Sequence, residues 1–339
     1  MRRTPLVTAL VITSGLALAA CGSDADNAAS VSTDMGVTVA GAAGEKPDLT
    51  IPEDDPSAEL ETEVLSEGDG AEVGADDFVV AHYLGQTWAP KDGEENVFDN
   101  SYDRGQVAGF SLNGVVPGWK EGLTGQTVGS RVLLSIPPDL GYGADPTSEL
   151  AEDTLVFVVD IVDVVPADAG VSGTPVADLP ADLPVVAGEG AADPTVTFPA
   201  TATPPTTSGA TLLLAGDGDD LGTLTAPAPE ATDGTEVPAD PAAAATNIVV
   251  QVLQASYATG EVQYSSRSEI GGQPAQGALA MPADQLPGLA EALEGQKVGS
   301  RVLVRIAAAD NVTEAAPAGE ALALVIDVVG KFDPQEEQK

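Results

Sequence analysis

The stretch Gly125-Gln126-Thr127-Val128-Gly129-Ser130-Arg131-Val132-Leu133-Leu134 returns later in the chain as Gly295-Gln296-Lys297-Val298-Gly299-Ser300-Arg301-Val302-Leu303-Val304, with eight of ten residues unchanged. Self-similarity at a fixed separation, here 170 residues, marks a duplicated structural unit. The correspondence extends outward. Pro117-Gly118-Trp119 faces Pro287-Gly288-Leu289, and Phe78-Val79-Val80 faces Ile248-Val249-Val250, both at 170. Gly68-Asp69-Gly70 faces Gly216-Asp217-Gly218 at 148, which places an insertion of about 22 residues in the second copy. It falls in 222–246, a Pro, Ala and acidic stretch that reads as a disordered loop. The expected organisation is one domain over 46–166, a Pro/Gly/Ala linker over 167–189, a second domain over 190–333 and a tail over 334–339.

Short strand patterns dominate the first copy. Phe78 to Leu84 is β-rich and Arg131 to Ile136 is apolar. Thr154 to Val165 alternates, with Leu155, Phe157, Val159 and Ile161 on one face. Pro117 to Leu123 is the clear helix candidate, with Pro117 suited to the first turn and Gly125 to closing it. Many strands and one short helix predict an α+β unit, an antiparallel sheet wrapped on a helix.

Composition narrows the function. The chain of 339 residues carries 53 acidic and 13 basic residues, a net charge of -40. Phosphate binding needs Lys and Arg, so nucleic acid is excluded as a partner. One Cys and one His leave no disulfide, no cysteine zinc cluster and no His-based metal site, and the expectation is an activity without metal or cofactor.

The N-terminus reads as an address. Arg2 and Arg3 precede an apolar run, Leu6 to Leu18, too short to span a bilayer. Leu18-Ala19-Ala20-Cys21 then resembles the lipobox of bacterial lipoproteins, and the only Cys in the chain stands where lipidation needs it. The resemblance implies a signal peptide over 1–21, a diacylglyceryl group on the Cys21 sulfur, and a lipid-anchored protein at the extracytoplasmic face of the cell membrane. Residues 22–45, poor in large apolar groups, read as a flexible tether.

Of 13 aromatic residues, nine lie in one copy: Phe78, Tyr83, Trp88, Phe98, Tyr102, Phe110, Trp119, Tyr142 and Phe157. That concentration suits a pocket with rigid apolar walls. It equally suits a core of larger residues. The motifs carrying these residues are His82-Tyr83-Leu84-Gly85, Val97-Phe98-Asp99-Asn100-Ser101, Arg104, Val115-Val116-Pro117-Gly118-Trp119, Val128-Gly129-Ser130-Arg131, Ile136-Pro137-Pro138, Tyr142-Gly143 and Thr154-Leu155-Val156-Phe157. In this order and spacing, over roughly 62–165, they resemble the FKBP-type peptidyl-prolyl cis–trans isomerases.

The resemblance implies two tandem FKBP-like domains, each a twisted antiparallel sheet wrapped around a short helix. It also implies Trp119 as the floor of the pocket, and Tyr83, Phe98, Val115, Val116, Tyr142 and Phe157 as its walls, with Phe110 beside them. Asp99 would bond the Tyr83 hydroxyl and pair with Arg104, while the Val116 N–H and the Tyr142 hydroxyl would grip substrate carbonyls. Ala108, in place of a second aromatic near Phe110, and the short acidic loop 144–152, which lacks the family's apolar tip apart from Leu150, depart from the pattern. The partners implied are proline-containing unfolded or secreted polypeptides and an inhibitory macrolide, on a monomeric protein. The other function class is a chaperone or adhesion module that binds the same segments without turnover. His82 neighbours Tyr83 on a strand and points to the opposite face, a structural position. Tyr102 and Trp88 read as loop packing. In the second copy Tyr83 faces Leu253, Trp119 faces Leu289, Phe98 and Asp99 face Gln263 and Tyr264, Tyr142 faces Val312 and Phe157 faces Leu324. The second domain is therefore expected to keep the fold and lose the site.

Overall fold

Strands rich in Val, Ile and Leu on both faces need cover on both faces, and the architecture follows from how this cover is supplied. The computed structural model describes residues 30–89, 96–222, 224, 246–311 and 319–335. Three short strands come first: β1 (Ser30–Ser32), β2 (Thr38–Ala40) and β3 (Asp48–Thr50), forming one small antiparallel sheet. The first large sheet contains β4 (Glu61–Ser66), β5 (Phe78–Thr87), β6 (Val97–Asn100), β7 (Ala108–Ser111), β8 (Arg131–Ile136) and β9 (Leu155–Val165). Its order is β4-β8-β9-β5-β6, with β7 also on β5, and every pairing is antiparallel. Helix α1 (Pro117–Leu123) packs on it, with Pro117 in its first turn as the sequence predicts. Leu134, Ile136, Leu155, Val159 and Ile161 close the core around Trp119 and Leu123 of this helix.

The second copy repeats this plan. Its strands are β10 (Gly173–Pro175), β11 (Val185–Ala187), β12 (Thr195–Thr197), β13 (Gly209–Gly216), β14 (Asn247–Ser256), β15 (Val262–Ser265), β16 (Leu279–Pro282), β17 (Arg301–Ile306) and β18 (Leu322–Phe332), with helix α2 (Leu289–Leu293). The large sheet runs β10-β13-β17-β18-β14-β15, with β16 on β14, and β11 and β12 form a separate hairpin. The chain is therefore mostly β, with two large antiparallel sheets and few helices.

Several sequence boundaries need correction. The tether expected over 22–45 is structured from Ser30 onward. Val37 and Val39 are buried against Trp88, Leu133, Val156 and Val158, the back face of the first sheet. Arg131 fixes this clamp, donating from Nη1 to the Gly41 carbonyl (2.9 Å) and from Nη2 to the Glu45 carbonyl (2.7 Å). Its Nε and Nη2 meanwhile hold Asp160 at 2.6 and 2.7 Å, and Gly44 N donates to the same carboxylate at 2.8 Å. The first folded body therefore begins well before residue 46.

The stretch expected as a linker, 167–189, carries β10 and β11. In the second copy Leu183, Val186, Val196 and Phe198 cover Leu253, Leu303, Ala323 and Val325. Arg301 pairs with Asp327 at 2.5 Å and donates to the Gly188 carbonyl at 2.7 Å. Gly188 thus plays the part of Gly41, so the duplicated unit includes the clamp as well as the large sheet. The tail also begins tied down, since Val107 N donates to the Pro334 carbonyl at 2.9 Å. Of the insertion expected over 222–246, Gly222, Leu224 and Thr246 are described, with Leu224 in the second core. The rest, and the whole of 1–21, lies outside the described residues. No helix among the described residues is long and apolar enough to cross a membrane.

Candidate functional site

The concave face of the first sheet and the start of α1 leave a hollow of about 240 Å³, lined by Tyr83, Phe98, Asp99, Phe110, Gly114, Val115, Val116, Trp119, Tyr142 and Phe157. Strand alternation delivers most of these groups. On β5, Tyr83 and Gly85 face the hollow while His82 and Leu84 face away. Phe157 arrives opposite Gly85 on β9, and Phe98 and Asp99 arrive on β6. A Cβ at Gly85 would lie 2.4 Å from Phe157 Cε1 and 2.9 Å from Phe98 Cζ, so this position must be glycine for the two rings to close over it.

The rings meet edge to face. Trp119 lies 5.6 Å from Tyr83, 5.2 Å from Phe110 and 5.2 Å from Phe157, at interplanar angles of 82°, 69° and 87°. Tyr83 meets Phe110 at 5.4 Å, and Phe98 meets Phe157 at 5.6 Å. Such tilted contacts match the positive ring edge to the negative ring face and hold the walls stiff. Tyr83, Trp119 and Phe157 are 6%, 4% and 5% exposed, whereas Phe98 and Tyr142 are 36% and 38% exposed. The first three build the floor and inner wall, and the other two form the mouth. Trp119 Nε1 is buried with no acceptor among the described residues.

One polar network stands at the rim. The Tyr83 hydroxyl donates to Asp99 Oδ2 and accepts from Arg104 Nη2 (2.8 Å), while Arg104 Nη1 donates to Asp99 Oδ1 at 2.5 Å. The guanidinium also lies over the Tyr83 ring, 5.7 Å from its centroid. Burial pushes the Tyr83 hydroxyl up to about 12, helped by the bond to Asp99 and opposed by Arg104. Burial opposes ionisation of Asp99, but the hydrogen bonds from Tyr83 and Arg104 outweigh it and hold the carboxyl below its ordinary value. The rim is thus a fixed set of dipoles, a neutral phenol between a carboxylate and a guanidinium.

All ten residues expected at the site from the sequence meet here. Nine line the hollow directly, along with Gly114, and Arg104 reaches it through Tyr83 and Asp99. Ala108 packs into the core behind Phe110. His82 lies on the other face, bonded through Nδ1 to Ser101 Oγ (3.0 Å) and stacked on Tyr102 at 4.8 Å. Tyr102 in turn donates to Asp160 (2.7 Å), and Trp88 Nε1 donates to the Asp54 carbonyl (2.9 Å), so both serve packing. Among the described residues no group of three or more His, Cys, Asp or Glu could hold a metal ion.

The strand registers correct one correspondence. The break in the β5/β9 pairing between Val80 and Ala81 recurs in β14/β18 between Val249 and Val250. Val252 therefore stands at the Tyr83 position, not Leu253, and it donates its N–H to Ser266 Oγ as Tyr83 does to Ser101 Oγ. The 170-residue separation of the helix and turn motifs shrinks by one residue on this strand, and the slip moves every side chain to the other face. By the same registers Phe98, Asp99, Phe110 and Phe157 correspond to Gln263, Tyr264, Met281 and Leu324, and the shared Pro-Gly motif before each helix places Trp119 at Leu289. Val252, Met281, Leu289 and Leu324 pack together in the second core. Val312, opposite Tyr142, lies outside the described residues.

The family comparison falls on the first copy. The family described as FKBP-type peptidyl-prolyl cis-trans isomerase matches residues 70–162. A protein of Corynebacterium glutamicum named "Probable FK506-binding protein" is 40% identical over 119 residues, covering 35% of this chain and 98% of the relative. The "FKBP-type peptidyl-prolyl cis-trans isomerase FkpA" of Escherichia coli is 42% identical over 112 residues, 33% of this chain and 40% of that protein, so less than half of FkpA is matched. The crystal structure of FkpA aligns at 40% identity over 31% of this chain and 47% of that one, with a TM-score of 0.28.

Proposed function

The chain belongs to the FKBP family and is an FKBP-type peptidyl-prolyl cis–trans isomerase; from that premise we propose that the aromatic hollow of the first copy is its active site. An X–Pro bond turns over a barrier of about 18–20 kcal/mol, most of it amide resonance. Water favours the planar polar amide over the twisted one. A segment whose prolyl ring sits on Trp119, between Tyr83, Phe98, Tyr142 and Phe157, leaves that water behind. Phe110, Val115 and Val116 complete the walls, the Val116 N–H and the Tyr142 hydroxyl hold the flanking carbonyls, and the Asp99–Arg104 pair supplies fixed dipoles at the rim. No bond is made or broken, so nucleophile and cofactor have no step to perform. A gain of roughly 10⁵ in rate asks for about 7 kcal/mol, within the reach of desolvation and preorganised dipoles together.

The observation that carries this reading is the convergence of three buried rings, Tyr83, Trp119 and Phe157, on one hollow with the Tyr83–Asp99–Arg104 network at its mouth. Prolyl-peptide exchange kinetics on the full chain test it. Asp99→Leu is expected to lower kcat/KM by about tenfold or more, and an unchanged value would refute the assignment. An FK506-type macrolide is expected to compete for the same hollow.

The second copy, with Val252, Met281, Leu289 and Leu324 where the rings would stand, is a catalytically silent FKBP-like unit in this proposal. We also place the protein at the outer face of the cell membrane, held by lipid on Cys21 and acting on secreted or envelope polypeptides. The lone cysteine after the apolar run supports this placement. About eight residues separate Cys21 from β1, which span at most ~27 Å when extended. Cys21→Ala is expected to release the protein from the membrane fraction without altering kcat/KM, and retention in that fraction would count against the anchor.

A further inference from the structure

The second copy touches the first at β7, one wall of the hollow, and at the adjoining ends of β5 and β9. Strand β7 pairs along one edge with β5. At its two ends it is held by the other copy. Val107 N donates to the Pro334 carbonyl at 2.9 Å, and Ser111 Oγ donates to the Gln276 carbonyl at 2.6 Å. Between those ties the side chains alternate. Phe110 turns into the hollow against Tyr83 and Trp119. Gly109 turns outward onto the Phe78–Phe332 ring pair, whose centroids are 6.3 Å apart. A Cβ at Gly109 would lie 2.5 Å from Phe78 Cζ and 3.0 Å from Phe332 Cε1, so the strand lies flat on an aromatic shelf to which both copies contribute.

The same face is used by both partners. Phe78, Val80, Val107 and Val165 of the first copy pack against Val249, Ala278, Val329 and Phe332 of the second. By the strand registers Val80 corresponds to Val249, Val107 to Ala278 and Val165 to Phe332. Equivalent residues meeting across a contact is the pattern of an isologous dimer interface, realised here within one chain. Among the described residues the aromatic hollow belongs to the first copy.

We infer that the second copy works as a built-in brace for the reaction, and that Phe332, Ser111 and Gly109 are positioning residues that fix the Phe110 wall and, through the turn after Ser111, the Val115–Val116 segment. The turn is itself tied, with Leu112 N donating to the Asp77 carbonyl (3.0 Å) and Gly114 N to the Ser111 carbonyl (2.9 Å). Displacement of β7 therefore moves the wall and the carbonyl-binding segment together. The inference rests on the hollow being the active site.

The test uses the full chain. Phe332→Ala is expected to lower kcat/KM for a prolyl peptide by about fivefold while the far-ultraviolet spectrum stays native, and Phe332→Leu is expected to restore it to within about twofold. Ser111→Ala, at the far end of the strand, is expected to act in the same direction. In a Phe110→Ala background Phe332→Ala is expected to do nothing further, because the two residues act through one wall. Amide exchange at Phe110 is expected to speed up in Phe332→Ala but not in Val325→Ala, which packs in a separate cluster with Leu183, Leu253, Leu303 and Ala323. Wild-type kcat/KM in both Phe332→Ala and Ser111→Ala would overturn the brace while leaving the active-site assignment standing. So would full multiplication of the Phe332→Ala and Phe110→Ala effects. Wild-type activity in Trp119→Leu would overturn both readings at once.

Discussion

Replacing Arg131 by Met removes the group that joins the clamp to the sheet. Arg131 and Asp160 are 2% and 0% exposed. The guanidinium holds both carboxylate oxygens and both clamp carbonyls, of Gly41 and Glu45. Without it Asp160 keeps the Tyr102 hydroxyl and the Gly44 N–H as partners, and a buried carboxylate with no cation remains. Removing one member of such a pair costs about 3–5 kcal/mol, a large share of the ~5–15 kcal/mol that holds a domain folded. At roughly 2–4 °C per kcal/mol, the unfolding midpoint of the first copy falls by roughly 6–20 °C.

The second copy supplies an internal comparison. Asp327 has a second guanidinium nearby, Arg267 Nη2 at 3.3 Å, so Arg301→Met leaves it partly paired and is expected to cost less. Thermal unfolding followed by circular dichroism measures both variants, with Arg131→Met/Asp160→Leu as the double mutant. The double mutant is expected to recover much of the loss, because no uncompensated charge remains. A midpoint change below about 3 °C for Arg131→Met, or a larger loss for Arg301→Met, would refute the account of the clamp.

Other perturbations reach the site itself. Gly85→Ala places a methyl 2.4 Å from Phe157 Cε1; kcat/KM is expected to fall about tenfold, with ~1–3 kcal/mol of lost stability measured by urea unfolding. The Asp99 carboxyl is held below its ordinary value and the Tyr83 hydroxyl up to about 12. Neither group titrates between about pH 5 and 9, so kcat/KM should stay flat across that range in a pH profile of the prolyl-peptide reaction. For stability the signs are opposite: the Asp99 contribution is present above the ordinary carboxylate value near ~4 and is lost as pH falls through the lower folded value, while the Tyr83 contribution is present below ~10 and is lost as pH rises toward the folded value. Burial lowers His82 against the pull of Asp160, so its share of stability is present above ~6.5 and fades as pH falls through the lower folded value, a dependence that His82→Gln should abolish in unfolding curves.

Much of this arrangement is legible in the sequence because local rules and long-range pairing agree. Pro117 starts the helix where its fixed backbone angle fits, and the period-2 run from Leu155 to Ile161 aims Phe157 at the same face as its apolar neighbours. What brings Trp119 and Phe157 into one pocket before any coordinates is the motif resemblance, which these two local cues agree with. The clamp is harder to see. Residues 30–45 have the small polar composition of a tether, yet Val156, Val158 and Leu133 are apolar on the back of the sheet and must be covered. That double-sided apolar character is the available signal for the clamp. The one-residue slip at Tyr83 arises because the chain between β14 and the Pro287-Gly288 motif is one residue longer than that between β5 and Pro117-Gly118, a change in loop length that composition does not mark. The Phe78–Phe332 contact joins residues that no local pattern connects, so the brace on β7 becomes visible only when both copies are placed together.

The central claim concerns where the proline bond turns. The most direct test is kcat/KM for a prolyl peptide with the full-length Trp119→Leu protein, since Trp119 touches Tyr83, Phe110 and Phe157. A leucine keeps an apolar side chain but removes the flat floor, and a loss of about 2–3 kcal/mol in transition-state stabilisation corresponds to a fall of roughly 30- to 150-fold. Folded Trp119→Leu protein with a rate in that reduced range is the expected result. Folded Trp119→Leu protein that isomerises the peptide as fast as wild type would show that the reaction takes place elsewhere.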